Sequence, residues 1–401
     1  MRVMHYTFHR WSLVVASLAI AYSAFAQSPP SSTQEDGQGA PQLAADLNEA
    51  IAKVPVKVQP LFGDARSGDM IVTHFKPAGD GPFPAVVMHH GRSGTDRANP
   101  GRWRYLNVAR YWTRRGVAVF VPTRLGYGDT GLEPDPEDTG PCGNKRYGVA
   151  AEATNVQTIA AIEFALKQPW VDKNKVIVMG QSMGGFATVA AMAKKHPSVI
   201  AGINFVGGGG GDPVGRKGDP CSASRTGEVF ADAGKANAGA TPMLWLYAEN
   251  DNYWGPNIPR KWHDAYVSAG GKAEFVMFPP VAHDGHTLIN NGMNFWRPAL
   301  DKFIAPFGIK APASEAAPPP TTFAALTEAA KVPLVKSDVK ENGYKRFLNS
   351  DVPRAFAIGP KGEWSTQNGN GAIKRTLDRC AQIAKTTCKL YAVDDAVVWT
   401  E

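Results

Sequence analysis

Short runs of consecutive apolar, often β-branched residues recur through the middle of the chain, at 71–75, 85–89, 118–122, 176–180, 202–206, 243–248 and 273–278. Between several of them lie longer stretches in which apolar positions return every three or four residues, at 106–115, at 150–167 and after Ser182. In the second of these Val156, Ile159, Ile162 and Leu166 share one helical face, the arrangement of a helix laid over a sheet. Strand runs this uniformly apolar are buried on both faces, and their alternation with helices predicts an α/β fold: a mostly parallel sheet with helices on both faces. In such a sheet reactive groups gather at the carboxyl ends of the strands.

The pattern weakens at both ends. Arg2 and Arg10 precede an apolar run from Leu13 to Ala21, and Ala24-Phe25-Ala26 stands ahead of Gln27. This reads as a signal peptide over 1–26, too short in its apolar part for the roughly 20 residues that span a bilayer. A Ser-, Pro- and Gly-rich flexible leader is expected over 27–50, and the sheet-forming domain over 51–308. An Ala/Pro linker at 309–322 then leads to a small C-terminal α/β module at 323–401. Export predicts a periplasmic or secreted protein with no membrane anchor after cleavage, and an oxidising compartment for Cys142, Cys221, Cys380 and Cys388. Of the 401 residues 43% are hydrophobic and 20% charged, which suits a folded chain with a large core. The net charge of +7 is scattered, with no basic run interleaved with aromatics, so no nucleic-acid partner is indicated. Nothing in the sequence sets the oligomeric state.

Candidate chemistry centres on "VMGQSMGGF". A strand, a Gly-x-Ser-x-Gly turn and a helix form a nucleophile elbow, which lifts the hydroxyl of Ser182 above the sheet. A serine needs a base to take its proton and an acid to orient that base. Both follow at the ends of later strands. Asp251, with Glu249 as alternative, comes 69 residues after Ser182; His286, with His283 as alternative base, comes 35 residues after Asp251. His286 is favoured because Gly285 lets the loop bend and an apolar stretch follows. The backbone N–H groups of Met183 and of Arg92, in "HHGRSG", are the expected oxyanion donors. "RLGYGDTG" (124–131) lines the pocket in this reading. The glycines 207–211 lack a following Gly-Lys-Ser/Thr, so they form no P-loop and are read as a flexible rim. His283, Asp284 and His286 lack the further ligands of a metal site, and no metal or cofactor is expected. Four cysteines allow three pairings; Cys142 and Cys221 lie in loops on the same edge of the sheet, where a bridge would tie two rim loops together.

With "HHGRSG", "RLGYGDTG", "GQSMGG", "YAENDNYW" and "PPVAHDGHTL" in that order, residues 51–308 resemble the α/β-hydrolase superfamily, nearest its dienelactone-hydrolase-like group. The resemblance implies a triad of Ser182, Asp251 and His286, and an oxyanion hole at Met183 and the "HG" loop. Dienelactone hydrolases proper carry a cysteine nucleophile, so Ser182 points instead to carboxylesters or related acyl compounds as small-molecule substrates. The module is loosely similar to small exported α/β modules; its expected helix, 371–385, and the strand opened by Cys388 suit a Cys380–Cys388 bridge. The expected function is therefore an exported, cofactor-free serine hydrolase acting through an acyl-enzyme. A prolyl-oligopeptidase-like serine peptidase and a non-catalytic envelope binding protein on a hydrolase shell are the alternatives.

Overall fold

A computed structural model describes residues 43–400, except 94, 95, 132 and 313–315; the signal peptide and the first part of the leader lie outside the described residues. Eight strands form one sheet: β1 (Ala50–Val58), β2 (Arg66–Phe75), β3 (Phe83–His89), β4 (Ala118–Thr123), β5 (Val171–Gln181), β6 (Val199–Phe205), β7 (Met243–Ala248) and β8 (Ala273–Phe278). Their order is β1-β2-β4-β3-β5-β6-β7-β8, with β1, β2 and β4 antiparallel to one another in turn and all later pairings parallel. Every residue of β4 and β7 is buried, as parallel strands covered on both faces require.

Seven helices accompany the sheet: α1 (Leu106–Thr113), α2 (Tyr147–Leu166), α3 (Met183–Ala191), α4 (Ala223–Ala236), α5 (Ile258–Ser268), α6 (Leu288–Asn291) and α7 (Met293–Ile304). On α2 the buried face differs from the one its large apolar residues predict. Of the expected face Ile162 is buried, but Val156, Ile159 and Leu166 are only half-buried, whereas Ala150, Thr154, Gln157, Thr158, Ala161 and Ala165 are buried. The polar members are paired: Gln157 accepts the Leu125 N–H at 2.6 Å, and the Thr158 hydroxyl lies 3.0 Å from His89 Nε2. Small side chains let α2 lie close, and two side-chain hydrogen bonds tie it to the ends of β3 and β4.

The leader expected through residue 50 is packed from Ala44 onward. Leu47 is buried, and the Glu49 carboxylate is clasped by Arg102 and Arg104 at 2.7 and 2.6 Å. Burial alone would raise the Glu49 pKa, but these two cations and the Ala44 N–H bring it below the ordinary carboxylate value.

The C-terminal residues form a four-stranded antiparallel sheet, ordered β10-β9-β11-β12, from β9 (Arg354–Ile358), β10 (Trp364–Asn368), β11 (Lys389–Val393) and β12 (Ala396–Val397). α8 (Tyr344–Leu348) and α9 (Ala372–Ala384) pack against it. Gly371 and Lys385 flank α9, both in the left-handed region. Cys380 on α9 is bridged to Cys388. This sheet docks on the α1 and α7 side through charged contacts, in which the arginines and Asp351 are buried and Asp395 is exposed. The Arg115 guanidinium lies 3.6 Å from the Tyr111 ring, pairs with Asp301 at 2.7 Å and reaches Asp351 at 3.1 Å, while Asp395 joins Arg297 to Arg354.

Candidate active site

The elbow is built by exclusion of side chains. A Cβ on Gly180 would come within 2.2 Å of the Gly184 carbonyl oxygen, and one on Gly184 within 2.3 Å of the His89 carbonyl oxygen. Only glycine allows β5, the turn and α3 to approach this closely. Ser182 itself sits at φ 57°, ψ −122°, a conformation that costs about 1–3 kcal/mol in a non-glycine residue. The surroundings hold it there: its N–H donates to Phe205 O, and its carbonyl accepts from Phe186 N–H and Gly208 N–H. The residue is half-buried, and its hydroxyl has no hydrogen-bond partner among the described residues.

Asp251, after β7, and His286, after β8, are brought together. His286 Nδ1 lies 3.1 Å from Asp251 Oδ2 and 3.3 Å from Oδ1. Asp251 is buried, and its Oδ1 also accepts the N–H groups of Tyr253 and Trp254 at 2.8 and 3.2 Å. The imidazole is stacked on Tyr253, 3.8 Å between centroids, with the edge of Trp254 at 5.4 Å. The loop can bring His286 in because a Cβ on Gly285 would meet Ala248 and Asn250 at 2.8 Å. The alternatives are placed otherwise: His283 and Glu249 are both exposed.

Gln181, the residue before Ser182, joins the elbow to the histidine loop. Its Nε2 donates to the His286 carbonyl at 3.0 Å, and its Oε1 accepts from the Tyr105 hydroxyl at 3.3 Å. Sequence reasoning missed Gln181, Tyr105 and Tyr253; for Tyr253, the signal was an aromatic pair directly after the candidate acid. Gly91 lies against the serine, since a Cβ there would be 3.3 Å from Ser182 Cβ. The backbone N–H groups of Met183, at the start of α3, and of Arg92 have no acceptor among the described residues. The Arg92 side chain turns away to Tyr127, the Glu137 carbonyl and Asp135.

Two rim features flank this arrangement. Cys142 and Cys221 are bridged, with the Tyr147 hydroxyl donating to the Cys221 carbonyl at 2.7 Å. The glycines after β6 are not the flexible rim expected from sequence. A Cβ on Gly208 would strike Trp262 at 2.5 Å, on Gly209 Tyr147 at 2.7 Å, and on Gly211 Tyr253 at 2.5 Å. They thread between aromatic rings with no room for a side chain.

Residues 70–287, more than half of the chain, match the model of the dienelactone hydrolase family. The chain belongs to that family. It carries the family's hydrolase fold, with helices on both faces of the eight-stranded sheet. It is also 25% identical over 231 residues to dipeptidyl aminopeptidase BIII of Pseudoxanthomonas mexicana, a match that spans 51% of this chain but only 30% of that relative. Among solved structures, an acetyl xylan esterase from a Paenibacillus species matches with a TM-score of 0.43 and 17% identity over 65% of this chain and 89% of its own. The acylaminoacyl peptidase of Pyrococcus horikoshii matches with a TM-score of 0.43 and 16% identity over 67% of this chain and 43% of its own.

Proposed function

We propose that the protein is an exported serine hydrolase that cleaves a carboxylester or related small acyl substrate through an acyl-enzyme. The observation that carries this reading is the buried Asp251–His286 pair, on a loop tied by Gln181 to the residue bearing the free hydroxyl. Two backbone donors fix the Asp251 carboxylate, so it accepts at Nδ1–H and leaves Nε2 as the basic nitrogen. His286 takes the Ser182 proton as the hydroxyl oxygen attacks the acyl carbonyl. The imidazolium then returns that proton to the leaving oxygen, and the acyl group remains on Ser182. Water, deprotonated by the same imidazole, attacks the acyl-enzyme and releases the acid. The N–H groups of Met183 and Arg92 receive the oxyanion in both halves; removing one such donor typically costs about 3 kcal/mol of barrier. Asp251 orients the imidazole and balances its charge.

Export is supported by the basic and apolar start of the chain and by the two bridges, and predicts a mature N-terminus at Gln27. No helix among the described residues is long and apolar enough to cross a membrane. A peptidase reading is supported by the similarity to the P. mexicana aminopeptidase. A fluorophosphonate probe should label the wild type and not Ser182→Ala. p-Nitrophenyl esters of graded acyl length, run beside aminoacyl and dipeptidyl anilides, separate esterase from peptidase. Labelling of Ser182→Ala, or equal turnover by that variant, refutes the serine mechanism.

A further inference from the structure

Next to the elbow, the strand end "HHGR" is gripped by a buried polar network that the reaction scheme above does not use. His90 is fully buried, its ring stacked on Trp103 (centroids 4.9 Å apart, planes 4° apart) and met edge-on by Tyr127 at 4.7 Å. Its two ring nitrogens face different partners. Nε2 accepts the backbone N–H of Arg124 at 3.1 Å. An N–H donor on that side fixes the tautomer, because Nε2 must then present a lone pair and the ring proton sits on Nδ1. Nδ1 lies 2.6 Å from the carbonyl oxygen of Gly91, to which it donates. Burial, reinforced by the positive charge of Arg124, holds the His90 pKa well below its ordinary range, so the ring stays neutral.

The Gly91 carbonyl belongs to the same peptide unit as the Arg92 N–H. A trans peptide is planar, with C=O and N–H pointing in opposite directions, so holding the carbonyl against the imidazole turns the N–H away from it. The preceding peptide is held as well: the Arg124 guanidinium donates to the His90 carbonyl at 2.8 Å and is itself locked to the buried Glu137 carboxylate at 2.5 and 3.2 Å. Both peptide units of the loop against Ser182 are therefore fixed from their carbonyl side.

We infer that His90 is a positioning residue for the reaction: its Nδ1–H holds the Gly91 carbonyl and thereby aims the Arg92 amide at the developing oxyanion. The inference rests on reading that amide as an oxyanion donor. His90 touches neither substrate nor nucleophile and acts only through the backbone. Its loss should therefore weaken transition-state binding more than substrate binding.

The test compares His90→Phe, which keeps the stacked ring but has no donor, with His90→Asn, whose side-chain amide nitrogen falls where Nδ1 was. On an ester substrate His90→Phe should lose about 10²-fold in kcat with KM changed by less than about threefold, and His90→Asn should recover most of the loss. Affinity for a phenylboronic acid, which forms a tetrahedral adduct on the serine, should fall in parallel with kcat. Folded His90→Phe with kcat within about threefold of wild type, or equal losses in the two variants, overturns the inference. On the wild type alone, nitrogen NMR of 15N-histidine-labelled protein at neutral pH should show His90 protonated at Nδ1 and bare at Nε2; the opposite tautomer overturns it even if neither variant folds. Failure of fluorophosphonate to label wild-type Ser182 would instead strike the serine-hydrolase reading, and this inference with it.

Discussion

Replacing Asp251 by Asn tests the site at its most constrained point. Asp251 Oδ1 receives two backbone N–H groups, from Tyr253 at 2.8 Å and Trp254 at 3.2 Å, and lies 3.3 Å from His286 Nδ1, whereas Oδ2 has His286 Nδ1, at 3.1 Å, as its one hydrogen-bond partner among the described residues. An asparagine must therefore put its carbonyl oxygen at the Oδ1 position, because the NH2 there would oppose two donors. The NH2 is then left 3.1 Å from Nδ1 as a donor, and the imidazole has to answer with a lone pair on Nδ1 and its proton on Nε2. In that tautomer the proposed base cannot accept the serine proton. A wrong tautomer in such a triad costs about 10⁴ in kcat, or about 5.5 kcal/mol of barrier. The substitution keeps the shape of the side chain and both backbone bonds, so the fold should persist. Turnover of a p-nitrophenyl ester, the rate of fluorophosphonate labelling and circular dichroism should be measured on Asp251→Asn, with Glu249→Gln as the exposed control. A folded Asp251→Asn within about tenfold of wild type would refute the orientation argument, as would a large loss in Glu249→Gln.

Three further outcomes concern stability. Burial keeps His89 and His90 neutral in the folded protein, with pKa values well below the 6.5 of a free histidine. As pH falls below 6.5 the unfolded chain takes up these protons before the folded one does, so stability that is full above that pH is lost as pH falls; equal denaturant midpoints at pH 7.5 and 5.5 would contradict this. The Cys142–Cys221 bridge closes a loop with a sequence separation of 79, so Cys142→Ser with Cys221→Ser should lose up to about 4.5 kcal/mol, read from urea unfolding without reductant, while wild type in reductant should lose at least as much because Cys380–Cys388 opens too; an unchanged midpoint in the double variant would contradict this. Among the described residues Arg115→Met leaves the buried Asp351 only the longer ion pair with Arg114 at 3.6 Å and Asp301 only that with Arg297 at 3.9 Å, and should cost up to about 3 kcal/mol; an unchanged melting temperature would show that the charged contact does not hold the C-terminal sheet in place.

β3 to β7 were legible because burial on both faces writes them as apolar runs, and the apolar parts of β2 and β8 could be read as well. β1 was not. It is an edge strand in which Lys53, Pro55 and Lys57 face solvent between buried Val54, Val56 and Val58, so it alternates instead of forming an apolar run, and Pro55 is tolerated because the edge leaves an N–H unneeded. α2 was found as an element but its inner face was misjudged, since hydropathy ranks Val156 above Gln157, whereas a paired glutamine against a strand end is the better buried. The elbow, Asp251 and His286 could be named because each follows a recognisable strand end. Gln181, Tyr105 and the docking of the C-terminal sheet could not, because they depend on which residues meet across more than seventy positions of sequence. The packing of 207–211 was misread for the same reason: glycine signals freedom until its neighbours are known.

That glycine thread also limits how the proposed site can be altered. Where most pockets are reshaped by exchanging the residues that border them, here any exchange along 208–211 drives a methyl group into Tyr147, Tyr253, Trp254 or Trp262. New selectivity would have to come from trimming those rings instead, and Tyr253 lies on His286, the proposed base. Evolution or engineering on this side of the proposed site would therefore couple the choice of substrate to the rate of the chemistry.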